Sequence, residues 1–271
     1  MTKTKDFTSR FGFHGVPFTC EIRNEERYVN DIYETPIDHL CRTLDKRMCA
    51  ALIAPAGTGK TAVLRALIDR LPEARYRVHY VKVTDLSKRD MCREIAAVTG
   101  IESAGTYPAL VKRLQEHFSA SLDIDGLRPV LILDEAHDIR PEVLAIMRIL
   151  TNFDMDNRLV VSIVLTGQAP LSKLLKHPRL EAVTHRLALC VTLPTLSRTE
   201  TGQYVKHRCR VAGAASCPFD SGAMQALYEI GRGNLRATDQ LGLKSLEVAH
   251  DNDCDVVDSN HITEARRLLW P

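Results

Sequence analysis

Residues 54–61, APAGTGKT, restrict the fold of this chain more than any other stretch. An apolar run, Cys49–Ile53, leads into them, and a segment with helical character over 62–70 follows. A strand that turns through glycines into a helix is the setting of a phosphate-binding loop. Gly57 and Gly59 let the backbone curl so that its N–H groups converge on phosphate oxygens. The helix N-terminus adds partial positive charge. Lys60 supplies a full charge for the β- and γ-phosphates, and Thr61 offers a hydroxyl to Mg²⁺. The expected nucleotide contacts are therefore Ala54, Pro55, Ala56, Gly57, Thr58, Gly59, Lys60, Thr61 and Ala62. Ala54 stands where the G-x-x-x-x-G-K-[ST] pattern has its first glycine.

Composition matters mainly for what it excludes. The net charge of +2 gives no global field that points to nucleic acid, so any such surface must be local. The eight cysteines make no C-x-x-C pair and no zinc-type spacing with histidine. His207, Cys209 and Cys217 come nearest and read as incidental. Cys49 and Cys190 sit in apolar runs and read as buried thiols, which suits a reducing compartment. No apolar run is long enough to span a membrane, and the polar N-terminus lacks a signal-peptide core. The expected location is the cytoplasm.

Read in order, residues 1–10 are polar and expected to be loose. The aromatic stretch FGFHGVPFTCEI, 11–22, is too apolar for a free tail and is expected to pack on the main domain. A helix over 33–47 precedes the first strand. The run 76–83 alternates as a strand, and Ser87 is placed to cap a helix over 88–99. A second helix covers 109–119, a buried strand 130–133, and a helix 141–152. Residues 159–166 and 187–193 are apolar strands around a short helix at 171–175. Strands alternating with helices imply a parallel α/β sheet covered on both faces. Beyond Pro194 the strand signal stops, and segments 199–211, 221–232, 235–249 and 259–269 read as helices. Three parts are expected: an N-terminal segment and first helix, 1–48, packing on the core; an α/β nucleotide-binding domain, 49–195; and a small all-helical lid domain, 196–271.

Five further groups carry chemistry. VLILDEAH, 130–137, brings Asp134 to the C-terminal edge of the sheet, where α/β proteins bind ligands. Asp134 is placed to hold Mg²⁺ through water, and Glu135 to polarise a water for attack on the γ-phosphate. After the next strand, Gln168 is the first choice and Thr166 the second for holding that water. Arg186 is the preferred arginine finger, reaching a neighbouring subunit's nucleotide, with Arg179 the alternative. Arg236 opens a helix capped by Asn234; a cation there is unfavourable for that helix, which argues for a role toward phosphates. Lys88, Arg89, Lys112 and Arg113 follow the second strand and are the candidate contacts to nucleic-acid phosphates.

With APAGTGKT, VLILDEAH, ILTNFDMD, LTGQAPL, HRLAL and GNLR in this order, the chain resembles the AAA+ ATPases. The FGFHGVPF start and the TNF and TGQ runs resemble the ExeA-like branch more narrowly, which includes transposition helpers of the TnsC, TniB and MuB kind. The resemblance implies an ATP- and Mg²⁺-dependent homo-oligomer, a ring or a helical filament, with nucleotide sites shared between subunits. For the helpers it implies winding on double-stranded DNA without sequence specificity, recruitment of a transposase and targeting proteins, and disassembly on hydrolysis. Secretion members of the branch continue into a membrane segment and a cell-wall-binding domain. This chain stops at Pro271 without them, which favours the transposition expectation; an ATPase of secretion or envelope assembly is the alternative.

Overall fold

The computed structural model describes residues 7–270. They divide into two units, one of residues 31–56 and 60–193, the other of 7–30, 57–59 and 194–270. The first unit holds the five strands. They are β1 (Cys49–Ile53), β2 (Tyr76–Lys82), β3 (Arg128–Asp134), β4 (Ser162–Gly167) and β5 (Leu187–Thr192). Every pairing is parallel, and the order is β2-β3-β4-β1-β5.

Position in the sheet explains sequence pattern. β1 and β4 are buried along their whole length, so they read as continuous apolar runs. β5 is an edge strand whose burial alternates. Cys190 consequently lies exposed, against the expectation of a buried thiol, while Cys49 is buried. Helix α1 (Asp31–Asp45) packs on α2 (Lys60–Arg70), β1 and β5. Its apolar face, with Tyr33, Ile37, Leu40 and Leu44, is buried. Helices α3 (Lys88–Thr99) and α4 (Tyr107–Asp123) pack on each other and on β2 and β3. Ser87 caps α3 by accepting the Asp90 N–H.

Two expected elements differ. The helix over 141–152 is two short ones, Pro141–Leu144 and Ile146–Leu150, parted at Ala145. Both bury apolar side chains in the same core, so packing prevails over helical continuity. The strand over 159–166 begins only at Ser162. Val160 and Val161 are buried but outside the ladder, so apolarity there marks burial rather than pairing.

The second unit is a helical bundle. It contains α5 (Arg198–Val211), α6 (Ser221–Gly231), α7 (Leu235–Asp251) and α8 (Ser259–Leu269). Ser197, Asp220, Asn234 and Asp258 cap them in turn through side-chain oxygens. Val205, Leu227, Leu241, Leu246 and Ile262 form its core together with Phe11, Phe13 and Phe18. The aromatic N-terminal stretch thus belongs to the bundle and not to the α/β core, where it was expected. The physical reason is local: the Phe18 ring covers Gly242, and the buried Arg208 donates to Thr19 O at 2.6 Å. Arg208 also meets Asp239 at 3.0 Å, and the Tyr204 hydroxyl donates to Asp239 at 2.8 Å. Residues 1–6 of the expected loose tail lie outside the described residues, and Phe7–Arg10 form a helical turn with Arg10 paired to Asp253.

Candidate functional site

At the C-terminal end of β3, four donors converge on one carboxylate. Asp134 is almost fully buried, at 4% exposure. Its Oδ1 accepts from Lys60 Nζ at 2.8 Å, from the Glu135 N–H at 2.8 Å and from the Thr166 hydroxyl. Its Oδ2 accepts from the Tyr80 hydroxyl at 2.7 Å. Burial opposes ionisation of Asp134. Hydrogen bonds from Lys60, Thr166 and Tyr80, with the charge of Lys60, outweigh it and hold the carboxyl below its ordinary range. Tyr80, by burial and then by its bond to Asp134, is pushed well above the usual phenol range and acts as a fixed donor.

Lys60 also donates to Glu135 Oε1 at 2.5 Å, so one ammonium bridges both acids. Glu135 adopts a left-handed backbone, φ 57° and ψ 33°, which costs a non-glycine residue roughly 1–2 kcal/mol. Its second oxygen, Oε2, lies 3.3 Å from His137 Nδ1. That imidazole nitrogen also faces the Gln168 N–H at 3.4 Å. Strand order explains the convergence: β4 lies beside β3, so Thr166 on β4 comes next to the β3 terminus, and β2 brings Tyr80 from the other side.

The phosphate loop turns as its glycines require. Gly57 and Gly59 have φ of 77° and 99°. A Cβ on Gly57 would stand 2.5 Å from Asn234 Oδ1 and 2.9 Å from Arg236 Cβ. The loop tip, 57–59, groups with the helical unit, and the Arg236 N–H donates to Gly57 O at 3.1 Å. Arg236 is itself exposed and makes no ion pair among the described residues. Lys60 begins α2 directly, two residues earlier than the helix was expected, and Thr61 is exposed in its first turn.

The donor set fits a magnesium nucleotide. The groups around the acids offer oxygen ligands, carboxylate and hydroxyl, as Mg²⁺ prefers. The Lys60 ammonium already occupies a cation position between two carboxylates. Asp134 and Thr61 are the residues that would hold the metal.

The remaining expected residues separate. Thr166, and not Gln168, places its hydroxyl on Asp134; Gln168 meets His137 through its backbone as the N-cap of a short helix, Ala169–Leu175. Arg186 is half-buried and binds Asp156, its Nη2 at 2.6 and 2.7 Å from the two carboxylate oxygens. Arg179 is exposed. Arg89 donates to Gly105 O at 2.9 Å, and Arg113 donates to Ala104 O. Those two arginines therefore brace the loop between α3 and α4. Lys112 lies 3.7 Å from Glu116, and Lys88 is exposed without an ion pair among the described residues. Tyr80 and His137 were not expected. Tyr80 shows only as one polar-tipped aromatic in an alternating strand, and His137 as the end of the DEAH run.

A parallel sheet in this order, a glycine-turned phosphate loop after β1 and an acidic pair after β3 define the AAA+ fold. Residues 42–175 match the AAA domain family. The general secretion pathway protein A of Aeromonas hydrophila is 30% identical over 231 residues, which are 84% of this chain and 42% of that protein. The chain thus spans about two fifths of that relative's length. Among solved structures, Cdc6p of Pyrobaculum aerophilum superposes with a TM-score of 0.68 at 18% identity, over 97% of this chain and 71% of that one. The Aeropyrum pernix ORC1 protein in complex with DNA gives 0.66 at 17%, over 99% and 71%. The RuvB Holliday junction branch migration motor of Thermotoga maritima gives 0.59 at 15%, over 89% and 70%. These likenesses establish a shared AAA+ fold. Among the described residues no helix is long and apolar enough to cross a membrane.

Proposed function

We propose that this chain hydrolyses ATP at the Lys60–Asp134–Glu135 centre, and that it does so as a DNA-bound oligomer regulating transposition. The observation that carries the hydrolytic part is the single ammonium shared by two strand-end carboxylates. ATP would draw Lys60 off the acids and onto its β- and γ-phosphates, while the loop N–H groups bind the remaining oxygens. Glu135, released from Lys60, accepts a proton from water as that water attacks the γ-phosphorus. Thr166 and Tyr80 hold Asp134 in place, and His137 borders the other Glu135 oxygen, Oε2. Mg²⁺, when bound, neutralises charge developing on the phosphate oxygens. Arg236, in the first turn of α7 with its N–H on Gly57 O, contributes its charge toward the phosphates, and Arg186 reaches a neighbouring subunit's nucleotide after leaving Asp156.

The transposition part rests on the motif resemblance to the ExeA-like helpers. It gains support from fold likeness to proteins whose names include a DNA complex and a branch migration motor. Lys88, Arg89 and Lys112 are the exposed candidate DNA contacts, and Arg89 and Arg113 also bond the loop between α3 and α4. The proposed location is the cytoplasm. A secretion role through protein partners is the second reading, favoured by the 30% identical secretion relative. The deciding measurement is phosphate release with and without random-sequence duplex, together with electron microscopy in a non-hydrolysable ATP analogue. DNA-coated rings or filaments and DNA-stimulated turnover are expected. A monomer indifferent to duplex would overturn the DNA reading, and absent Mg²⁺-dependent turnover would overturn the hydrolytic one.

A further inference from the structure

Cys209 on α5 and Cys217 in the loop after it bring their sulfurs to 3.9 Å. Cys209 is buried in the bundle core, whereas Cys217 is partly exposed. Both line a cleft of about 760 Å³ within the helical unit. Among the described residues the cleft's lining leans basic, with Lys206 and Arg210 beside Arg27 and Glu25. Lys206 is exposed and makes no ion pair among the described residues.

We propose that Cys209 and Cys217 form a reversible disulfide by exchange with an anionic low-molecular-weight disulfide admitted by this cleft. A disulfide needs sulfurs at about 2.05 Å, so the pair must close by a little under 2 Å. Cys217 sits on a loop, where a side-chain rotation supplies that movement. The roles of the two thiols differ. The sulfur–sulfur contact with Cys209 pulls the Cys217 pKa down against the opposing effect of burial. The Phe219 N–H and the charge of Lys206 act in the same direction. Cys209 is pushed up, by its bond to Cys217 and by burial. Cys217 is therefore the attacking thiolate and Cys209 the resolving thiol.

The chemistry balances without a cofactor. The Cys217 thiolate attacks one sulfur of the small disulfide; a Cys217–sulfur bond forms and one small thiolate leaves. Cys209 then loses its proton to solvent and attacks the Cys217 sulfur, expelling the second small thiolate. The dithiol is oxidised by two electrons, and the small disulfide is reduced to two thiols. The cleft's charge selects an anionic reagent, and Cys209, 1% exposed, is the less accessible of the two thiols.

The test exposes the full-length, reduced chain to oxidised glutathione at pH 7, followed by thiol trapping and peptide mapping without reductant. The expected product is one Cys209–Cys217 link and a mass lower by two hydrogens. Cys217 is expected to react roughly threefold faster than the exposed Cys20. The lowered pKa enlarges the thiolate fraction of Cys217, and its lower nucleophilicity removes part of that advantage. Cys209→Ser should halt at a Cys217–glutathione mixed disulfide, and Cys217→Ser should leave Cys209 unmodified. Cationic cystamine should react more slowly than oxidised glutathione at Cys217. The proposal is overturned if wild-type mapping shows Cys20 or Cys190 modified as fast as Cys217, or no Cys209–Cys217 link. Equal rates for the two reagents at Cys217 would overturn the anionic selectivity. Wild-type mapping needs no variant to fold, so destabilised variants do not block the result.

Discussion

Removing the Lys60 ammonium should reveal how strongly it bridges the two acids. At 2.8 Å from Asp134, with an effective dielectric constant of about 20, the gross attraction is roughly 6 kcal/mol. Desolvation of both charges offsets much of this. Breaking a buried pair by deleting one partner costs about 3–5 kcal/mol, and the lower end applies because Asp134 keeps Thr166, Tyr80 and the Glu135 N–H. Lys60→Met is therefore expected to destabilise by about 3 kcal/mol at pH 7. Asp134→Asn leaves Lys60 its bond to Glu135 and should cost only about 1 kcal/mol. The double variant should lose about 2 rather than 4 kcal/mol, because neither leaves the other's charge unpaired, giving a coupling near 2 kcal/mol. The pH dependence has a definite sign. Asp134 has a lowered pKa in the wild type, so its contribution is present above its ordinary value and is lost as pH falls through the lowered one. In Lys60→Met burial acts with less opposition, the carboxyl takes up a proton more readily, and the gap between the proteins narrows from pH 7 toward about 4. Urea unfolding followed by far-UV circular dichroism, in EDTA and without nucleotide, reads all four proteins. Additivity within about 0.5 kcal/mol, with no pH dependence, would refute the shared-ammonium arrangement.

Three other outcomes are expected. Glu135→Gln should keep ATP affinity, measured by fluorescent-analogue titration, while phosphate release falls about 10²–10⁴-fold. Gly57→Ala should abolish that binding, since φ is 77° and the added methyl meets Asn234 Oδ1 at 2.5 Å; the folded bundle, seen by circular dichroism, should remain. Burial raises the Asp239 pKa to about 6, against the pull of Arg208 and Tyr204. A carboxyl that binds its proton more tightly when folded makes stability fall as pH rises from about 4 to 6. Relative to Asp239→Asn, the wild type should therefore lose up to roughly 3 kcal/mol over that interval in urea titrations.

The α/β order was legible because buried parallel strands leave long apolar runs, and β1, β3 and β4 carry them. Helix starts were equally legible where a cap acts locally: Ser87 and Asn234 perform in the structure the bonds their side chains allow. Non-local facts were less so. The run 11–22 announces burial by its aromatics, but nothing in it says which core receives Phe11, Phe13 and Phe18. That choice depends on Gly242 and Arg208, more than 180 residues away. Cys190 misled for a related reason. Alternation and continuous apolarity look alike in the short run LALCVT until the strand is known to lie at an edge.

The same distinction runs through the candidate site. Lys60, Asp134 and Glu135 could be found because each belongs to a contiguous motif whose spacing carries its geometry. Thr166 and Gln168 differ by two positions at a strand end, and only the pairing of β4 with β3 decides which side chain meets Asp134. Tyr80 is reached through β2, the strand on the opposite side of β3. A strand-end carboxylate has two oxygens and takes neighbours from both sides, so half of its partners are set by sheet order and not by its own motif. The consequence is that both Asp134 oxygens are engaged, and of their partners Lys60 alone comes from a phosphate-loop motif, while Tyr80 and Thr166 come from the flanking strands.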